Sequence, residues 1–192
     1  MESARSVRAT DEHHGVPVER VAPVIVRDAR ASDLPAIVAI YNAAVPGRLA
    51  TADTEPVSVE SRTRWLEQHG PASHPLWVAE VEGAIGGWLS FSAFYGRPAY
   101  RATAELSVYV APTHQRRGIA RRLVADALER APALGLATLL GFVFGHNAPS
   151  LTLFERFGFA PWGHLPRVAV LDGVERDLVI LGRRVDGSRA DT

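Results

Sequence analysis

Residues 136–144, Leu-Ala-Thr-Leu-Leu-Gly-Phe-Val-Phe, carry no charge and none of the polar–apolar alternation of a strand with one wet face. Such a strand needs cover on both sides, which calls for a sheet lying between layers of helix. The rest of the chain supplies both. Residues 24–27 read as a first strand. A helix follows, capped by Ser32 or Asp33, with Pro35 in its first turn and Ile37, Val38, Ile40, Tyr41 and Val45 as its apolar stripe. Pro46-Gly47 ends it, and a second helix runs from Ser58 through Trp65 and Leu66 to Gly70-Pro71. Residues 76–81 and 84–94 form two strands across a Glu82-Gly83 turn, and residues 103–110 form a fourth, closed by Pro112.

A third helix begins at Ile119, with Leu123, Val124, Ala127, Leu128 and Ala131 on one face. After the apolar strand, residues 149–157 form a short helix stopped by Gly158. Residues 164–171 and 174–181 pair as a final hairpin across Asp172-Gly173. The order β-α-α-β-β-β-α-β-α-β-β predicts an α/β fold, with one mixed sheet flanked by helices. Residues 23–185 form the one expected domain; residues 1–22 and 186–192 read as tails outside it.

Composition narrows the function. The formal net charge is zero, so no nucleic-acid or membrane surface is expected, and no apolar run reaches the ~20 residues of a membrane span. With no signal-peptide pattern, the reading is a cytoplasmic protein. There is no cysteine, which removes disulfides, thiolate zinc sites and cysteine nucleophiles. There is no lysine either, which removes Walker-A nucleotide binding and Schiff-base chemistry. The seven histidines show no ligand spacing, so no metal is expected.

The segment Gln115-Arg116-Arg117-Gly118-Ile119-Ala120 joins the fourth strand to the third helix. It ends where backbone N–H groups are free and the helix dipole is positive. Gly118 allows a ligand close to the backbone. Arg116, Arg117, Arg121 and Arg122 crowd this end, whereas cations favour the other end of a helix. A bound phosphate or pyrophosphate resolves the conflict.

This order of elements, with that segment in that place, resembles the GNAT superfamily of acyl-CoA-dependent N-acetyltransferases. The hexapeptide is similar to the superfamily's Q/R-x-x-G-x-G/A pyrophosphate loop, with Ala120 in the last place. Three further stretches resemble the phosphinothricin acetyltransferase branch. They are residues 51–56, with Thr54-Glu55-Pro56 as the branch's T-E-P; Arg97-Pro98-Ala99-Tyr100-Arg101 with the strand from Glu105; and Asn147-Ala148-Pro149-Ser150 with residues 153–159 and Gly163-His164-Leu165. Together they cover residues 24–184.

The resemblance implies transfer of acetyl from acetyl-CoA to the primary amine of a small amino-acid-like substrate. Glu105 is then the general base, since only a neutral amine attacks a thioester. Position alone equally allows a strand-edge glutamate in water, or one paired with Arg97 or Arg101. Implied cofactor contacts are the backbone of Val108, Tyr109 and Val110; Gln115, Arg116, Arg117, Gly118, Ile119, Ala120 and Arg121; and Asn147, Ser150, Phe154 and Arg156. A β-strand N–H among the first three can hold the developing oxyanion. Implied acceptor contacts are Tyr95, Arg97, Tyr100, Glu105, Leu106 and Ser107. Relatives are homodimers.

Two departures stand out. Phe154 occupies a place where the branch has histidine and other members tyrosine, which leaves Tyr109, solvent or the substrate's own proton to protonate the thiolate. Leu171 and Glu175 replace a lysine and a tryptophan in the last hairpin. A non-catalytic acyl-CoA sensor and a peptide N-terminal acetyltransferase are the alternative readings.

Overall fold

The computed structural model describes residues 22–185. Its strands are β1 (Ile25–Asp28), β2 (Leu76–Val81), β3 (Ala84–Ala93), β4 (Thr103–Val110), β5 (Thr138–Phe144), β6 (Ala160–Leu171) and β7 (Val174–Arg184). Its helices are α1 (Leu34–Ala44), α2 (Val59–Glu67), α3 (Ile119–Arg130) and α4 (Ala148–Arg156). All strands join one sheet in the order β1-β2-β3-β4-β5-β7-β6. Neighbours are antiparallel except β4 and β5, which run parallel. The expected mixed sheet and element order are therefore present. The expected tails lie outside the described residues except Ala22, which packs against the core.

Alternate residues of the central strands face opposite layers, as a period of two requires. Trp77, Ala79, Leu89, Phe91, Ala104 and Leu106 pack with Ile119, Leu123 and Val124 of α3. Leu76, Val78 and Trp88 face Ile37 and Ile40 of α1, with Trp65 and Leu66 of α2 against them. The buried Leu, Val, Ile and Phe side chains each contribute ~1.5–3 kcal/mol on full burial, so both helical layers stabilise the sheet.

Two local readings change. Asp33 stands at the N-cap of α1 but makes no side-chain cap. Its carboxylate instead accepts from Arg27 at 2.7 and 3.1 Å and from the Arg30 N–H at 2.8 Å. The guanidinium of Arg27 holds the Asp33 carboxyl below the usual range. β6 begins at Ala160 rather than 164, because irregularities between Pro161 and Gly163 and between Leu165 and Ala169 absorb residues that break strand periodicity. Such breaks are tolerated at a sheet edge.

One close approach positions the site. A Cβ on Gly87 of β3 would stand 2.8 Å from the Tyr109 carbonyl oxygen and 2.9 Å from Cγ2 of Ile119. The missing side chain lets the first residue of α3 sit down on the sheet, which sets where the N-terminus of that helix points.

Candidate active site

β4 pairs with β3 from Ala104 opposite Ala93 to Val110 opposite Gly87. Its other edge meets β5 only at Thr103, Ala104 and Glu105, opposite Thr138, Leu139 and Leu140. Beyond Glu105 the two strands part. A cleft of about 1150 Å³ is lined by Val108, Tyr109 and Val110, by the loop into α3, by α4, and by Gly47, Leu49 and Ala50. Small-ligand pockets run from ~300 to ~1,000 Å³, so this one suits a long ligand. The β4 edge has lost its β5 partner there, and an extended chain can pair with it instead.

The loop into α3 closes one end of the cleft. Gly118 is the N-cap of α3 at φ 79°, and Arg116 also lies in the left-handed region at φ 63°. Nothing lies within 4 Å of where a Cβ on Gly118 would stand. The Arg122 N–H bonds the Gly118 carbonyl at 2.9 Å, which leaves the N–H groups of Ile119, Ala120 and Arg121 ahead of the first helical bond. The first turn holds no acidic residue.

The charge conflict narrows in the structure. Arg122 pairs with the buried Asp126 at 2.8 Å, and Arg130 approaches the same carboxylate at 3.6 Å. Among the described residues, Arg116, Arg117 and Arg121 have no carboxylate partner. Arg116 and Arg121 line the cleft, with Gln115, Gly118, Ile119 and Ala120. Arg117 is exposed and stands outside the lining.

Glu105 occupies the last position of β4 that pairs with β5, opposite Leu140 there and Ser92 on β3. It is half-buried, and burial pushes its carboxyl above the usual range. Among the described residues no cation pairs with it, so the ion pair with Arg97 or Arg101 is not formed. Ser107 shares its face by strand alternation, and Leu106 points the other way into the α3-side core. A contact from Leu106 to an acceptor is thereby limited to its backbone.

Tyr109 stacks on Trp88 with centroids 4.6 Å apart and lies beside Tyr41 at 5.1 Å. Its hydroxyl donates to the Ala50 carbonyl at 2.8 Å, and burial raises the phenol above its usual range. That proton is engaged by a backbone carbonyl. Phe154 is 4% exposed and sits edge-on to Phe159 at 4.9 Å. A Cβ on Gly141 would be 3.2, 3.3 and 3.5 Å from its Cζ, Cε1 and Cε2, so the face of the ring lies on β5, and the residue also lines the cleft.

Asn147 caps α4, its Oδ1 accepting from the Ser150 N–H at 3.2 Å, and its Nδ2 donates to the Leu49 carbonyl at 2.9 Å. Asn147, Ser150 and Arg156 all line the cleft. Tyr95, Arg97 and Tyr100 lie on the β3–β4 connection, outside that cleft. The rings of Tyr95 and Tyr100 flank Phe94 at 4.4 and 5.3 Å and are exposed.

Residues 37–159 match the Acetyltransferase (GNAT) family. The chain belongs to the GNAT family of acetyltransferases. The enzyme is 50% identical over 161 residues to Bacillus subtilis YwnH, named as a candidate phosphinothricin acetyltransferase, covering 83% of this chain and 98% of that one. It is 32% identical over 166 residues to the L-methionine sulfoximine/L-methionine sulfone acetyltransferase of Pseudomonas aeruginosa, covering 86% and 96%. The crystal structure of a GNAT superfamily phosphinothricin acetyltransferase from Sinorhizobium meliloti in complex with AcCoA superposes with a TM-score of 0.80 at 30% identity, covering 84% and 88%. The enzyme is thus an N-acetyltransferase of the phosphinothricin acetyltransferase-like branch.

The sequence marks residues 47–50 only by the Pro46-Gly47 helix stop, which says nothing of what the chain beyond it lies against.

Proposed function

We propose that the enzyme transfers the acetyl group of acetyl-CoA directly to the primary amine of a small amino-acid-like acceptor of the phosphinothricin or methionine sulfone kind, with Glu105 as general base. The observation that carries this reading is the half-buried, unpaired Glu105 carboxylate at the last β4–β5 rung, where the sheet opens into the cleft. The relatives' named substrates support the acceptor class.

The fit to the donor is electrostatic and topological. Arg116, Arg121 and the free N–H groups of Ile119 and Ala120 suit a pyrophosphate, with Arg117 adding charge from outside. The unpaired edge of Val108, Tyr109 and Val110 suits the extended pantetheine arm, and Asn147, Ser150, Phe154 and Arg156 form the facing wall. Glu105 takes a proton from the acceptor ammonium. The amine nitrogen then bonds the thioester carbon, the carbon–sulfur bond breaks, and the sulfur leaves with the electron pair. A β4 N–H beyond the last rung holds the carbonyl oxygen as its charge grows. The thiolate takes its proton from solvent or from the acceptor's own released proton.

Tyr95, Arg97, Tyr100, Ser107 and the backbone of Leu106 are the acceptor-side contacts in this reading, an arginine fork suiting carboxylate or phosphinate. The enzyme acts as a homodimer in the cytoplasm. The dimer is supported by the β6–β7 edge, where Trp162, Leu165, Val168, Val170 and Val174 are exposed. No helix among the described residues is long and apolar enough to cross a membrane.

CoA-thiol release from acetyl-CoA, measured with methionine sulfone, phosphinothricin, free amino acids and short peptides, tests the reading. Release with a small amino-acid-like amine is expected. Acetyl-CoA binding without release by any amine establishes a sensor instead, and release with peptides alone establishes a peptide N-terminal acetyltransferase.

A further inference from the structure

Three consecutive carbonyls between α1 and α2 accept hydrogen bonds from side chains on the two sides of the strand opening. The Arg48 carbonyl accepts from His146 Nε2 at 2.8 Å, that of Leu49 from Asn147 Nδ2 at 2.9 Å, and that of Ala50 from the Tyr109 hydroxyl at 2.8 Å. Tyr109 belongs to β4, and His146 and Asn147 to the turn between β5 and α4. The segment therefore bridges the two strands where they have ceased to bond each other. Gly47, Leu49 and Ala50 line the cleft it crosses.

The Arg48 side chain holds this segment from the other side. Its Nη1 donates to the Thr54 carbonyl at 2.8 Å and to the Val45 carbonyl at 3.2 Å, and its Nε donates to Asp172 in the β6–β7 turn at 2.9 Å. One guanidinium thus ties the end of α1, the far side of the loop and the last hairpin. Arg48 also has φ 52°, a left-handed conformation that is unfavourable for a residue with a Cβ. The contacts hold it there against that cost. Farther along, the buried Thr51 accepts from the Asp53 N–H and the half-buried Asp53 carboxylate accepts from Tyr41 and Arg62, which fixes the remainder.

We propose that residues 47–54 form a strap that sets the width of the β4–β5 opening, with Arg48 as the positioning residue that keeps it seated. The strap acts on donor binding through Tyr109 and Asn147, whose polar side-chain atoms serve it and the α4 cap. The inference rests on the reading of the cleft as the CoA site.

Binding of CoA, measured by calorimetry with no acceptor present, tests it together with Tm. Arg48→Ala is expected to weaken CoA binding about 5- to 10-fold, the scale of one or two lost hydrogen bonds. Arg48→Gly separates the strap from a simple turn: glycine favours the positive φ, so a residue acting only as a turn would leave CoA affinity at the parental value. The strap predicts that Arg48→Gly binds CoA as weakly as Arg48→Ala even where its Tm is recovered. Tyr109→Phe removes one tie without touching charge, is expected to weaken CoA about 2- to 5-fold, and serves should the Arg48 variants not fold. Parental CoA affinity in the folded Arg48 variants, or in Tyr109→Phe where they do not fold, overturns the strap. A parent protein that binds no CoA overturns the cleft assignment itself.

Discussion

Glu105 and Leu140 form the last rung of the parallel β4–β5 pair, so the carboxylate stands where the sheet stops and the cleft begins. A strand interior gives it partial burial, and the opening beside it gives it access. Burial without a partner is what raises its proton affinity, which brings a carboxylate nearer to the range in which it can act as a base.

That burial makes a stability prediction separate from kinetics. A carboxyl whose folded pKa is raised contributes stability that is full below its unfolded pKa and is lost as pH rises through the folded value. The penalty of the buried charge is therefore present above that window. Glu105→Gln removes it, so the variant is expected to have a higher Tm than the parent at pH 8 and a smaller advantage as pH falls towards 5. Thermal unfolding across that range checks the sign.

The loop into α3 predicts a salt-sensitive donor site. Replacing Arg116 and Arg121 together by alanine removes two unpaired cations from the cleft wall. The Michaelis constant for acetyl-CoA is expected to rise about tenfold or more, with the parent's own constant rising with salt more steeply than the variant's. Titration of acetyl-CoA at about 50 and about 300 mM salt, over which the screening length shortens by more than half, reads both effects.

Gly87 connects packing to binding. An alanine methyl there meets a backbone oxygen at 2.8 Å and the first residue of α3 at 2.9 Å, so the helix start must shift. Gly87→Ala is expected to cost about 1–3 kcal/mol of stability and to weaken acetyl-CoA binding, because the displaced N-terminus carries the anion site. Denaturant unfolding and CoA calorimetry on one preparation measure the two effects.

Phe154→Tyr is expected to fail as a gain of catalytic acid. Phe154 is 4% exposed, so the added hydroxyl would enter a buried position. The variant should lose about 1–3 kcal/mol for an unsatisfied buried hydroxyl, with no rise in kcat. Melting and steady-state rates decide it.

The order of elements was legible because most declare their own period, two for the strands and about 3.6 for the helices, and β5 declares itself as an unbroken apolar run. The anion site was legible too, since a charge conflict at a helix end is a local pattern. Its details needed coordinates: Arg122 is satisfied by Asp126 one turn on, which leaves Arg116, Arg117 and Arg121 of this loop without a carboxylate partner among the described residues. The strap was not legible. Its bonds join Ala50 to Tyr109 and Leu49 to Asn147 through backbone carbonyls, which every residue carries, across long stretches of chain. The start of β6 was missed for a related reason, because Pro161 and Gly163 break the alternation by which an edge strand would be recognised.

The most direct test of direct transfer with Glu105 as base is the pH dependence of kcat/KM for thiol release with methionine sulfone as acceptor, compared between the parent and Glu105→Gln. The account predicts that the parent's activity rises with pH along a limb lying above the usual carboxylate range, and that the variant loses that limb and most of its turnover while binding acetyl-CoA as tightly as the parent. A variant with parental kcat/KM and an unchanged profile would contradict it.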